Sequence, residues 1–226
     1  DFGADVNARN VYGETPLMEA VFNWYPSDGV DTINALLDAG ADVNAAQHDR
    51  QTALHIVSEE CNARLVALLI ERGADVNASS YNGTPLRRAA KSGSIKCVRL
   101  LLDAGADVNV ATDDGKTALH LPFCDESEQL AALLIERGGN VNASSVKGTP
   151  LHYATRKGSI ECTRLLLDAG ADVNARCPRD NWTVVHCAVR CGSAYDVIEL
   201  LIDAGADVNA MSDKGWTPMH VILYDY

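Results

Sequence analysis

Six histidines and seven cysteines are the side chains of this 226-residue protein best suited to acid–base, nucleophilic or metal chemistry. An imidazole titrates near neutrality and serves as a general base or metal ligand, and a thiolate serves as a nucleophile or soft ligand. Five of the histidines close one short string: Thr52-Ala53-Leu54-His55, Thr117-Ala118-Leu119-His120, Thr149-Pro150-Leu151-His152, Thr183-Val184-Val185-His186 and Thr217-Pro218-Met219-His220. A catalytic base is needed once per active site, so a histidine that recurs in a fixed context points to the scaffold. His48, beside Asp49, stands outside the string and reads as a contact residue rather than a base. Cys187 and Cys191 are four apart, a spacing that shares a helix face near Cys177 and His186, yet no second close pair at zinc-finger spacing accompanies them. Cys97 and Cys162 occupy equivalent apolar contexts, so small, buried, reduced thiols are expected throughout. There is no Gly-rich phosphate loop, no G-x-S-x-G elbow and no H-E-x-x-H helix. No catalytic residue, cofactor or metal is expected, and the chain reads as not an enzyme.

The elements that carry these residues recur too. Gly-Ala-Asp-Val-Asn begins at Gly3, Gly40, Gly73, Gly105, Gly170 and Gly205, with the variant Gly-Gly-Asn-Val-Asn at Gly138, so successive glycines lie 37, 33, 32, 33, 32 and 35 residues apart. A period of this length marks an array in which each repeat is one supersecondary unit. The unit reads as a turn and two helices. Thr149 caps a first helix whose opening residue, Pro150, has no amide hydrogen to leave unsatisfied, and that helix runs through Leu151, Ala154 and Thr155 to Gly158. Ile160, Leu165, Leu166 and Leu167 give a second helix one apolar face, and Gly170 closes it in the left-handed conformation before a hairpin-like turn. One unit is too short to cover its own apolar faces, so stacked neighbours supply the core. The reading is an all-α, α-solenoid single domain over 1–226, with units at approximately 8–44, 45–77, 78–109, 110–142, 143–174 and 175–209 and a partial unit at 210–226.

The G-x-T-P-L-H head and the L-L-x-x-G-A-D-V-N tail resemble the ankyrin repeat, over about six units with partial ones at both ends. The resemblance implies an L-shaped unit with paired helices behind hairpins, a concave face built from hairpin tips and first helices, and head histidines that hydrogen-bond within or between neighbouring turns. Several units depart from the pattern. Met18 and Arg87 replace the head histidine, Arg50 and Asn181 replace the turn glycine, and Cys61 and Glu126 stand where other units have Gly93, Gly158 or Gly192. Pro122 falls within a first helix, which it should shorten or bend, and Trp24 to Asp28 form an insertion.

With 47% hydrophobic residues the chain has ample material for a core, while its net charge of -12 opposes a phosphate backbone or an anionic membrane. No apolar run reaches the roughly 18 residues of a membrane span. An odd number of cysteines in a chain this size reads as reduced thiols in an intracellular, cytoplasmic setting. The expected partner is therefore a protein, of an identity the residues do not specify, bound by a monomer within a larger scaffold, adaptor or effector. The alternative is an accessory recognition domain of an enzyme whose catalytic part lies outside this segment.

Leu65–Asn109 and Leu130–Asn174 share 33 identical positions of 45, and seven of the 12 differences fall between Tyr81 and Ser92, the turn and first helix. That stretch reads as the surface that diversified. Turns and first helices alternate in charge along the repeats: Arg87, Arg88 and Lys91, then Arg156 and Lys157, then Arg176, Arg179 and Arg190, against Glu59, Glu60, Asp125 and Glu126 in intervening units. With Tyr12, Phe22, Trp24, Tyr25, His48, Asp49, Tyr81 and Tyr153 these, apart from Arg176, Arg179 and Glu126, are the expected partner contacts, whereas Trp182 and Trp216 read as scaffold.

Overall fold

Helices form where the Thr-Pro heads, the Thr52-Ala53 head and the leucine-rich tails expect them. The computed structural model describes residues 3–23, 29–120, 123, 127–193 and 195–224, and these hold twelve α-helices and no strand beyond isolated bridges. The residues cluster into two compact units, Asp1–Val110 and Ala111–Tyr226. The first contains α1 (Pro16–Phe22), α2 (Gly29–Asp38), α3 (Ala53–Glu59), α4 (Ala63–Glu71), α5 (Pro85–Lys91) and α6 (Ile95–Asp103). The second contains α7 (Ser127–Glu136), α8 (Pro150–Lys157), α9 (Ile160–Asp168), α10 (Val184–Arg190), α11 (Tyr195–Asp203) and α12 (Pro218–Tyr224).

Helices of seven to ten residues do not persist alone in water, so tertiary packing must hold them. In the first unit α3 packs between α1 and α5, with α4 against α6; in the second α10 packs between α8 and α12, with α9 between α7 and α11. Leu54, Leu65, Leu69, Leu86 and Leu101 fill one core and Leu119, Leu134, Leu151, Leu166 and Leu201 the other, all essentially inaccessible to solvent. One expected helix does not occur among the described residues: in the 110–142 repeat, Ala118 and Leu119 form a turn rather than the start of an α-helix. Pro122, expected to bend or shorten that helix, lies outside the described residues, as do Cys124 and Glu126.

The recurring histidine is a bracket. In His55, His152 and His186, Nδ1 accepts the backbone N–H of the threonine three residues back and meets that threonine's hydroxyl at 2.9 to 3.0 Å. This contact fixes the Nε2–H tautomer, and Nε2 donates to a carbonyl in the next turn: Gly83 at 3.0 Å, Trp182 at 3.2 Å and Trp216 at 2.9 Å. His120 does the same to the Gly148 carbonyl. A second bracket, not foreseen in the sequence, is the asparagine of the tail. Asn142 donates to the Gly170 carbonyl and accepts from the Asp172 N–H, and Asn7, Asn44, Asn77 and Asn174 repeat the pattern.

The non-glycine substitutes keep glycine's backbone. Arg50 and Asn181 have φ of 67° and 56° where Gly13 and Gly115 have 79°, and Cys61 has 58° where Gly93 has 77°. An arginine in the left-handed region is strained by about 1 kcal/mol. Arg50 is solvent-exposed, so Arg50→Gly should raise unfolding free energy by about 1 kcal/mol, measured by urea denaturation. No gain would mean the turn is not strained there.

Candidate functional site

Hairpin tips are built from the turn ahead of each first helix, and they stack edge to edge within each unit. In the first unit the His48 N–H donates to the Tyr12 carbonyl and the Tyr81 N–H to the Asp49 carbonyl. In the second, the Val146 N–H donates to the Asp114 carbonyl and the Asp213 N–H to the Asp180 carbonyl. The stacked backbone leaves side chains at the tips outward. Tyr12 is 68% and Tyr81 64% exposed, and His48, lying against Gly13, is exposed beside them. Asp49 instead serves its own turn, accepting from the Gln51 N–H.

The other expected contacts divide. Phe22, Glu60, Lys91, Lys157 and Arg190 are exposed at the ends of first helices, while Tyr153 and Arg156 are half-buried. Trp24, Tyr25 and Asp125 lie outside the described residues. Arg88 departs from the expectation: it is buried, and its guanidinium pairs with the half-buried Glu59 carboxylate. Two charges read as facing a partner therefore neutralise each other inside the first unit. Arg87 turns back onto its own tip, donating to the Asn82 carbonyl at 2.8 Å.

The diversified stretch is accordingly of two kinds. Tyr81/Val146, Asn82/Lys147, Lys91/Arg156 and Ser92/Lys157 reach solvent. Arg87/His152, Arg88/Tyr153 and Ala90/Thr155 change internal packing. Tyr153 packs edge-on against His120 at 5.3 Å, and the Thr155 hydroxyl donates to the Leu151 carbonyl. Reading all seven as surface was wrong at Arg88, Ala90, His152 and Thr155, which are buried because these helix positions point into the stack.

In the second unit the same tips and first helices enclose a cleft of about 480 Å³, lined by Lys147, Arg156, Arg179, Arg190, Asp180 and Trp182 together with Cys177, Cys187 and Cys191. Arg190 stacks over the Trp182 ring at 5.3 Å, and Arg156 lies 6.0 Å from the Tyr153 ring centre. Arg156 donates to the Lys147 carbonyl and to Cys187 Sγ. Burial pushes the Cys187 thiol up to about 11 against the opposing effect of Arg156, so it remains a thiol near neutrality. Cys97, Cys162, Cys177 and Cys187 are buried as expected, but Cys61 and Cys191 are exposed, because each follows the last turn of a first helix, where the chain swings out to solvent. No cluster of three or more His, Cys, Asp or Glu that could hold a metal occurs among the described residues. Lys147 was missing from the expected contacts, whereas Arg179 stood in the expected basic run without being counted as a contact and Trp182 was read as scaffold. The signal for them, a basic residue in two successive tips flanking a tryptophan, was present but unremarkable without the spatial register.

No helix among the described residues is long and apolar enough to cross a membrane. A family model described as ankyrin repeats (3 copies) matches residues 26–112 and 105–177, and one described as ankyrin repeat matches residues 180–213. Inversin from Mus musculus is 34% identical over 165 residues, covering 70% of this chain and 15% of inversin. The chain thus spans a small part of the length of this relative. Among solved structures, the ankyrin repeat domain of Bcl-3 superposes with a TM-score of 0.74 at 29% identity, covering 92% of this chain and 94% of that one. The human ASB11 ankyrin repeat domain gives 0.75 at 27% identity, covering 92% and 91%.

Proposed function

The chain belongs to the ankyrin repeat family of protein-interaction modules, and from that premise we propose that its hairpin tips and first helices grip a protein partner as part of a larger scaffold, adaptor or effector. One observation carries the reading: Tyr12 and Tyr81 hold large aromatic surfaces in solvent, at 68% and 64% exposure, on the two tips that flank the His48 tip. Aromatic side chains left exposed on a rigid backbone lose little entropy when buried by a partner, which is why they serve as interface anchors. The tip-to-tip hydrogen bonds supply that rigidity. Lys91 and Lys157, exposed at the ends of α5 and α8, add charges that steer and orient an encounter.

The reading is checked by capture of partners from a cell extract. Tyr12→Ser with Tyr81→Ser, and separately Lys91→Glu with Lys157→Glu, should each lower retention of a captured protein by about tenfold or more. Lys96→Glu with Arg164→Glu, exposed on the second helices α6 and α9, should leave it unchanged. Loss through the second-helix pair, with retention through both others, would place binding on the opposite surface.

A further inference from the structure

The second unit carries a concentration of positive charge that its chain as a whole lacks. Four cationic side chains, Lys147, Arg156, Arg179 and Arg190, line one cleft with a single carboxylate, Asp180, in a protein of net charge -12. The ion pairs among the described residues are Arg72–Asp38, Arg88–Glu59 and Lys116–Asp114, so none of the four is paired with a carboxylate among the described residues. The site is also built. Arg156 is fixed by hydrogen bonds to the Lys147 carbonyl and Cys187 Sγ, and Arg190 by its stack on Trp182, which orders the guanidinium while leaving its N–H edge unused. Cations so held lose little entropy on meeting an anion.

Resting on the reading of this face as a partner-binding surface, we infer that the cleft receives a phosphorylated side chain of the partner polypeptide. A carboxylate carries one charge and is satisfied by one bidentate guanidinium. A phosphomonoester carries about -1.5 to -2 and offers three acceptor oxygens, which fits cations converging from two successive repeats. Beyond Trp182 the surface continues into a groove of about 330 Å³ that shares Arg179 and Arg190 and ends at Trp216, itself covered by Lys214 at 5.6 Å. An apolar residue beside the phosphorylated one fits between the two indoles.

The test uses immobilised degenerate nine-residue peptide libraries with a central phosphoserine, serine or glutamate, and the whole chain as the analyte. Retention should be about tenfold or more stronger on phosphoserine than on either other library, and should fall steeply with salt. Arg179→Gln and Arg190→Gln, both exposed, should each remove most of that preference without changing the unfolding transition. Equal retention on the glutamate library would reduce the cleft to a general acidic-peptide site and overturn the proposal. So would preference for a degenerate single-stranded RNA, or a phosphoserine preference untouched by both variants. Because the capture experiment turns on Tyr12, Tyr81, Lys91 and Lys157, it can succeed while this one fails, and the two readings fall separately.

Discussion

Gly148→Ala is expected to destabilise residues 111–226 by about 4 kcal/mol, whereas Gly170→Ala should cost about 1 kcal/mol. Both glycines have left-handed backbones, with φ of 100° and 85°, so both replacements incur the strain of an L side chain in that region. They differ in what the new methyl group meets. At Gly170 there is nothing within 4 Å, but at Gly148 a Cβ would lie 2.6 Å from His152 Cγ and 2.8 Å from its Nδ1. That ring cannot step aside cheaply. It is completely buried, Nδ1 accepts from the Thr149 N–H and Nε2 donates to the Trp182 carbonyl, so moving it strands buried polar groups at about 1–3 kcal/mol each. A double-mutant cycle separates this cause from a general loss of turn geometry. His152→Ala alone should cost about 3 kcal/mol, and adding Gly148→Ala should then cost only about 1 kcal/mol, because the clashing ring is gone. Urea denaturation followed by the fluorescence of Trp182 and Trp216 measures all four corners. Strict additivity would show that His152 is not what Gly148 makes room for.

The period of the glycines and the Thr-Pro heads made the architecture legible, because each encodes a local conformation that no partner residue needs to complete. Thr149, Pro150, Gly158 and Gly170 take up their expected roles as cap, first residue and helix terminators. Even the exceptions follow: Arg50, Cys61 and Asn181 keep the positive φ of the glycines they replace, since the stacked repeat on either side dictates the turn. Facing was harder to read. Arg87 and Arg88 stand in a run of charge that looks solvated, yet the helical turn points Arg88 into the stack toward Glu59, a residue 29 positions earlier. Such a pairing depends on the register between repeats, which a string of residues does not display. The basic cleft was legible only in part for the same reason: Arg156, Arg179 and Arg190 stood out as basic residues of two repeats, but their meeting with Lys147 around one cleft did not.

Acid should weaken this protein before its carboxylates are protonated, and the head histidines set the window. Burial lowers His55 and His152 from 6.5 to about 4; in each case the hydrogen bond to the next turn's carbonyl opposes the shift, and Arg88 or Arg156 adds to it. His186 is lowered by the same cause. A histidine with a folded pKa below its unfolded one takes up its proton first in the unfolded chain. Stability is therefore full above pH 6.5, falls as the pH drops from 6.5 toward 4, and levels off for this group below 4. Integrated over that window, His55 and His152 each account for about 3 kcal/mol. The repeats at 8–44 and 78–109 carry Met18 and Arg87 in the head, so they contribute no such imidazole. His152→Asn should be less stable than the native chain at pH 7 and lose less between pH 6.5 and 4, so that the two stability curves converge toward acid. Carboxylates titrating in the lower half of the window act on both chains alike and cancel in the comparison. Parallel curves from pH 7 to pH 4, recorded by urea denaturation in one buffer series, would mean that the bracket admits a proton without breaking.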